Sequence, residues 1–219
     1  MKQISKQKPK VIITGIDKMV SYTGSWYKFL QEAGIHTDTH KKVYKELRSG
    51  NIDFDEAKKK LHLNLKDKKI HKKQLEKVFR EIEVNGDAYS TINDLKKQGF
   101  MICIISGSID LIVKEIAKKF RIKDCYSNAR LIFNKEGYWT DIEYDQAEEK
   151  LKLKQAKDFM KKNSLKKDDC IVLGHSPADM ILFEKFCGIT IDCNYTPLKK
   201  LACQNVKFFP KILQFLNSV

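Results

Sequence analysis

Arginine is scarce in this chain. Lysine and arginine together number 42, yet only Arg48, Arg80, Arg121 and Arg130 are arginine. The formal charge of +14 therefore rests on lysines, spread over the polar faces of the predicted helices. Arginine makes the bidentate contacts to phosphates and base edges that nucleic-acid readers use. Its scarcity argues against a dedicated nucleic-acid-binding protein, the reading that net charge alone invites. Long apolar runs are also missing. The run at 11–16 is too short for a signal-peptide core and far too short to cross a bilayer, and no later run approaches membrane length. The sequence thus predicts a soluble, cytoplasmic protein with no membrane partner. None of the six cysteines (Cys103, Cys125, Cys170, Cys187, Cys193, Cys203) forms a C-x-x-C pair. That removes support for zinc or thioredoxin-type chemistry, and the thiols are expected to be reduced and structural. Internal repeats and low-complexity linkers are absent as well.

What is present suits one α/β domain, or a core carrying a small insert. The chain has 219 residues, 42% of them hydrophobic and 32% charged, enough apolar material for a real core. Residues 10–16 are expected to form the first strand. From residue 25 to about 80 the pattern is helical with polar connections. "SWYKFLQEAG" sets Trp26, Phe29 and Leu30 on one face and stops at Gly34. "THKKVYKELRSG" does the same with Val43, Tyr44 and Leu47, ending at Gly50. "DFDEAKKKLHLNL" opens on an acidic cap, and "KKQLEKVFREIEVNG" closes the block at Gly86.

Beyond Gly86 strands and helices alternate. "FMICIIS" and "CIVLG" read as buried parallel strands. "ITID" and "VKFF" read as short further strands. "ARLIFNKEGYWTDIEY" reads as a hairpin turning at 134–137. "DAYSTINDLKKQG", "SIDLIVKEIAKKF", "KLKLKQAKDFMKKN" and "PKILQFLNSV" read as helices. The implied architecture is a Rossmann-like α/β fold: a doubly wound parallel sheet with helices on both faces and a helical insert after strand one. The boundaries follow: a core of residues 1–20 and 85–219, and a helical cap of residues 21–84. Ligands in such sheets bind beyond the carboxyl ends of the strands, here 15–17, 106–107 and 174–179.

At the second of these ends, "IISGS" places Ser106 and Gly107 where a helix is expected to start. A hydroxyl beside helix N–H groups makes an anion site; a simple helix cap at Ser106 is the plainer reading. At the third end, Asp179 in "LGHSPADM" reads as a helix-cap residue. "EEKLKLKQAK" offers Lys152 or Lys154 near a helix start.

Taken in order, these stretches resemble the haloacid dehalogenase superfamily, in its phosphoserine-phosphatase-like branch. The family's first motif, D-x-D-x-T/V, matches Gly15-Ile16-Asp17-Lys18-Met19. The second matches Ser106, the flap hairpin matches 128–140, and the third-motif lysine matches Lys152, with Lys154 as an alternative. The fourth motif, G-D-x-x-x-D, matches Gly174 to Asp179 with His175 at its second position.

The resemblance implies an aspartyl-phosphate mechanism in which the first Asp attacks phosphorus, the second moves the proton, and Mg²⁺ sits between carboxylates. Here the nucleophile position is Gly15 and the metal-ligand position is His175. Met19 replaces a small residue. Asp17 remains as the acid/base and Asp179 as an outer-shell metal helper. Ser106, Gly107 and Lys152 remain as phosphate holders.

The expectation is a catalytically impaired phosphatase-like protein that retains an anion site. Its partner would be a small phosphorylated molecule or inorganic phosphate. It would need no cofactor, with Mg²⁺ only if activity survives. The alternatives are an active phosphohydrolase on a small phosphoester and, more weakly, a basic nucleic-acid-associated protein. A register shift that makes Asp17 the nucleophile only moves the missing acid to Met19. Asp17, His175 and Asp179 are also a candidate transition-metal set, against the plainer reading of His175 as a loop residue. His36 and His40 have metal-pair spacing but sit in a turn-and-cap context. Trp26, Tyr27 and Phe29 are expected to pack the cap on the core, with lining of a substrate pocket as the alternative. Arg48 is the cap arginine placed to meet a substrate carboxylate, with a surface role as the alternative.

Overall fold

The computed structural model describes residues 9–218 except 18, 23, 50, 66 and 67, and does not describe the side chains of residues 40, 48 and 54. The helix stop read at Gly50 and the side-chain roles read at His40 and Arg48 therefore lie outside the described residues, as does Lys18.

Among the described residues, seven strands form one sheet in the order β4-β3-β2-β1-β5-β6-β7. They are β1 (Val11–Thr14), β2 (Met101–Ile109), β3 (Asp124–Phe133), β4 (Trp139–Glu143), β5 (Cys170–Gly174), β6 (Cys187–Ile191) and β7 (Gln204–Val206). All pairings are parallel except that of β4 with β3. The strand β1 is buried at all four positions, which its unbroken apolar run requires of a central strand covered on both faces. It lies between β2 and β5, pairing Thr14 with Ile104 on one side and with Leu173 on the other. The chain order reverses at this point, so the carboxyl ends of β1, β2 and β5 open a crevice side by side.

Four helices fill the stretch between β1 and the rest: α1 (Ser25–Glu32), α2 (Thr37–Arg48), α3 (Phe54–Leu65) and α4 (Lys72–Arg80). Phe29 and Leu30 of α1 and Leu75 and Phe79 of α4 are fully buried, in the same apolar cluster as Ile12, Ile16 and Ile104. The helical insert is thus continuous with the core of the sheet. Gly34, at φ +66°, ends the turn after α1 as read from sequence. Asp53 caps α3 by accepting the Glu56 N–H at 2.8 Å. In α2, Val43 and Leu47 are half-buried while Tyr44 is exposed.

The remaining helices are α5 (Gly86–Lys97), α6 (Asp110–Lys119), α7 (Glu148–Lys162), α8 (Met180–Lys185), α9 (Thr196–Leu201) and α10 (Pro210–Asn217). Gly86 opens α5 rather than ending the previous helix. Asn85 caps it by accepting the Ala88 N–H at 3.1 Å. The short helix α9 has no counterpart in the sequence reading. The final strand covers 204–206, and Phe208 and Phe209 lie beyond it.

Between β5 and β6 the packing needs glycine. A Cβ on Gly188 would lie 2.3 Å from the Phe183 ring, and one on Gly174 would lie 2.9 Å from it. The fully buried Phe183 of α8 fills the space those missing side chains leave. Cys187 and Cys203 are paired, with Cα atoms 5.6 Å apart. This corrects the expectation of six reduced thiols, which holds for Cys103, Cys125, Cys170 and Cys193.

The β3–β4 hairpin turns at Gly137 (φ +87°) and docks on the helical insert. Lys72 N–H donates to the Gly137 carbonyl (2.9 Å) and Trp139 N–H to the Ile70 carbonyl (2.8 Å). Lys58 and His62 of α3 meet Asp141 of β4 at 2.8 and 3.0 Å. No helix among the described residues is long and apolar enough to cross a membrane.

Candidate functional site

The crevice at the ends of β1, β2 and β5 is a cavity of about 570 Å³. Its floor carries Gly15, Asp17, Ser106, Gly107, Lys152, His175 and Asp179. Tyr22, Trp26, Tyr27 and Tyr44 line it from the helical-insert stretch, Tyr144 from the segment before α7 and Glu148 from the first turn of α7. The fold thus gathers nearly every position singled out in the sequence. Among the motif positions Met19 does not line the cavity, being fully buried in the core cluster, and Phe29, His36 and Lys154 also lie outside its lining.

Gly15 needs no special backbone, and the nearest atom to a Cβ placed there would be the Ile105 carbonyl oxygen at 4.0 Å. Neither a positive φ nor a close approach among the described residues accounts for this glycine. A side chain at position 15 would have room.

Asp17 is occupied by structural work. Its Oδ1 accepts the Ser25 N–H at 2.8 Å, and its Oδ2 accepts the Ser25 hydroxyl at 3.4 Å and the Ser108 hydroxyl at short range. Helix α1 begins after Gly24, which offers no side-chain cap. Asp17 supplies that cap from the end of β1, satisfying an N–H the helix leaves open.

Ser106 lies inside β2, which continues to Ile109. The sequence reading placed the helix start directly after it, as a cap or as part of a helix-terminus anion site. The helix start and the cap are both corrected: α6 begins three residues past Gly107, capped by neither serine. The strand continues because Ser106 still pairs with Ser127, and Ile109 with Ala129, across a register shift. Ser106 Oγ donates to Ser108 Oγ (3.0 Å), whose own hydroxyl donates to Asp17.

Lys152 and not Lys154 faces the cavity. Lys152 is 5% exposed and Lys154 is on the solvent side of α7. Lys152 Nζ reaches Asp179 Oδ1 at 2.9 Å and Glu148 Oε1 at 3.3 Å. Burial alone would pull the ammonium down, but the two carboxylates outweigh it and hold Lys152 above the ordinary lysine range. Burial pushes the Asp179 carboxyl up, and the attraction and hydrogen bond of Lys152 more than reverse that. Asp179 Oδ2 accepts from His175 N–H (3.1 Å), Ser176 N–H (3.0 Å) and the Ser176 hydroxyl (2.9 Å). Asp179 makes no side-chain cap bond to α8, which corrects the helix-cap reading; it is instead the third residue of the Pro177–Asp179 turn, with reciprocal bonds to Ser176. His175 also receives, at its carbonyl, the Cys193 thiol at 3.4 Å.

Glu148 and Tyr144 are the residues the sequence reading missed. Tyr144 OH donates to Glu148 Oε2 at 2.8 Å. Glu148 Oε1 lies 2.2 Å from the place a Cβ on Gly107 would take, so the carboxylate lies against the Gly107 backbone. The available signal was periodicity: Glu148 precedes Lys152 by four residues on one helix, the spacing of a helical ion pair.

The donor set does not suit Mg²⁺, which needs oxygen ligands. Position 15 has no side-chain oxygen and position 175 is an imidazole. Asp179 is held by Lys152 and three hydrogen-bond donors, and both oxygens of Asp17 accept from serines. Among the described residues no three or more His, Cys, Asp or Glu side chains are placed to hold a metal. Asp17, His175 and Asp179 share the cavity without forming a ligand set, and that expectation is corrected. His36 uses its Nδ1 to accept the Asp38 N–H at the start of α2.

A sheet of this order, with a crevice at the switch point and helices inserted after the first strand, is the doubly wound α/β scaffold of an enzyme-type fold. The chain belongs to the haloacid dehalogenase-like hydrolase family, whose profile matches residues 22–184. It is 26% identical to the phosphoserine phosphatase of Methanocaldococcus jannaschii over 216 residues, which cover 97% of this chain and 100% of that protein. It is 27% identical to the phosphoserine phosphatase of Streptococcus thermophilus over 193 residues, 86% of this chain and 87% of that one. Among solved structures, a phospho-aspartyl intermediate analogue of phosphoserine phosphatase superposes with a TM-score of 0.76 at 23% identity, covering 95% of this chain and 99% of that one. A family hydrolase from Salmonella enterica superposes at 0.82 with 17% identity, covering 97% and 72%. These superpositions show a shared fold.

Proposed function

We propose that this chain is a phosphoserine-phosphatase-like member of the family that has lost aspartyl-phosphate chemistry and serves as a ligand-binding, regulatory or interaction domain. The observation that carries this reading is Gly15. It stands where the attacking carboxylate would be, in a place with room for one, beside an Asp17 already committed to two serines. Without a side chain there, no covalent intermediate forms. His175, just past the neighbouring strand β5, removes a second oxygen donor. The retained group at the cavity floor, Ser106, Gly107 and Lys152, is the place for a small phosphorylated molecule or inorganic phosphate. The test is phosphate release from a panel of phosphoesters with Mg²⁺, comparing wild type with Asp17→Asn. The expected result is no release above the variant. Release that the substitution abolishes would instead favour a working phosphohydrolase with Asp17, Ser106, Lys152 and Asp179 in the surviving roles.

A further inference from the structure

An anion that touches both Gly107 and Lys152 meets a carboxylate already there. Glu148 Oε1 is 3.3 Å from Lys152 Nζ, and it lies within 2.2 Å of the point above Gly107 that a Cβ would fill. Its other oxygen is fixed by the Tyr144 hydroxyl at 2.8 Å. The side chain is 15% exposed, so it lies inside the crevice. On its other side Lys152 is held by Asp179. Apart from His175 and the tyrosines, the described ionisable side chains lining the cavity are three carboxylates and one lysine. The floor of this cavity is negative although the chain as a whole carries +14.

We propose that Glu148 is a built-in occupant of the anion cradle, latched by Tyr144, and that phosphate binds only when this carboxylate is displaced. The inference rests on the reading of Ser106, Gly107 and Lys152 as an anion cradle, and not on whether catalysis survives. A phosphate placed on Lys152 must take the volume Glu148 fills and must sit beside its charge. Both terms oppose binding, and neighbouring like charges in a site of low dielectric oppose it strongly. Removing the carboxylate leaves Lys152 still paired with Asp179, so the buried ammonium keeps a partner.

The experiment is calorimetric titration of inorganic phosphate into wild type, Glu148→Ala, Glu148→Gln and Tyr144→Phe. The expected order of affinity is Glu148→Ala tightest, at least about tenfold over wild type, a step of ~1.4 kcal/mol. Glu148→Gln, which keeps the volume but not the charge, falls between. Tyr144→Phe releases the latch and gives a smaller gain. If Glu148→Ala does not fold, the glutamine and phenylalanine variants carry the comparison. Equal affinity in wild type and variants overturns the proposal, and so does no binding by any of them. Phosphate binding is read here without turnover. Activity in the phosphoester panel would sink the loss-of-chemistry reading and leave this result untouched, and the converse holds equally.

Discussion

Lys152 Nζ lies 2.9 Å from Asp179 Oδ1, with both side chains under one-tenth exposed. This pair joins α7 to the turn after β5 beneath the cavity. A buried pair adds little over an apolar replacement of both partners, but losing one partner strands a charge. Lys152→Met leaves Asp179 and Glu148 without their cation and is expected to cost about 3–5 kcal/mol in urea unfolding.

The same pair sets a pH dependence. Asp179 lies below its ordinary 3.8 in the folded protein, so its contribution is complete above that value and is lost as pH falls through the folded one. Lys152 lies above 10.5, so its contribution is complete below that value and disappears as pH rises through the folded one. Thermal melts from neutral to acid pH should show wild type losing stability at the acid end. Asp179→Asn should start lower and change less over that acid range.

Gly15→Asp should be accepted by the fold. The nearest described atom to the new Cβ is 4.0 Å away, and the predicted loss comes from repulsion with Asp17, about 1–4 kcal/mol in a crevice less polarisable than bulk water. Combined with His175→Asp, it returns two oxygen donors to the strand ends. A rise in melting temperature with Mg²⁺ in the double variant, and none in wild type, is the expected outcome. At a hundredfold excess over the dissociation constant the gain is ~2.7 kcal/mol.

Asp17→Ala removes the cap of α1 and the acceptor of Ser108 together. Loss of a helix cap costs ~1 kcal/mol, and an orphaned buried hydroxyl adds about another 1 kcal/mol. Asp17→Asn keeps an acceptor for the Ser25 N–H and should lose less than half as much. Denaturant midpoints for the two variants check the order.

Gly188→Ala places a methyl group into the Phe183 ring. Overpacking of this kind costs roughly 1–3 kcal/mol. Phe183→Leu in the same chain should recover part of the loss, which a double-mutant cycle on thermal unfolding measures.

The architecture was legible because period and punctuation agree along most of the chain. Buried strands such as β1 and β5 announce themselves as unbroken apolar runs, and Gly34 and the turn at 134–137 stop the elements where expected. Of three failures, two share a cause, that tertiary partners override local pattern, and the third, at Gly86, is a local cap read as a stop. β2 runs on through Ser106, Gly107 and Ser108 because β3 pairs with it, whereas local chemistry reads the serines as a helix start. Gly86 reads as a stop, yet Asn85 before it caps the next helix. The pairing of Cys187 with Cys203 joins residues brought together only by the sheet. At the site, helical spacing held an unused clue. Lys152, Ala156 and Phe159 are the buried positions of α7, four and seven residues apart, a face that Lys154 does not share. The same spacing sets Glu148 one turn before Lys152, but that its carboxylate lies over Gly107 follows from how α7 packs on β2 and not from the helix alone.

Asp17 binds the end of β1 to the first turn of α1 and to Ser108. A carboxylate in that position is worth retaining for the sake of the scaffold, whether or not a substrate ever reaches it. Its survival in the first motif therefore carries no information about turnover. A tally of matched family positions overstates how much enzyme is left, because some of those positions earn their place as masonry.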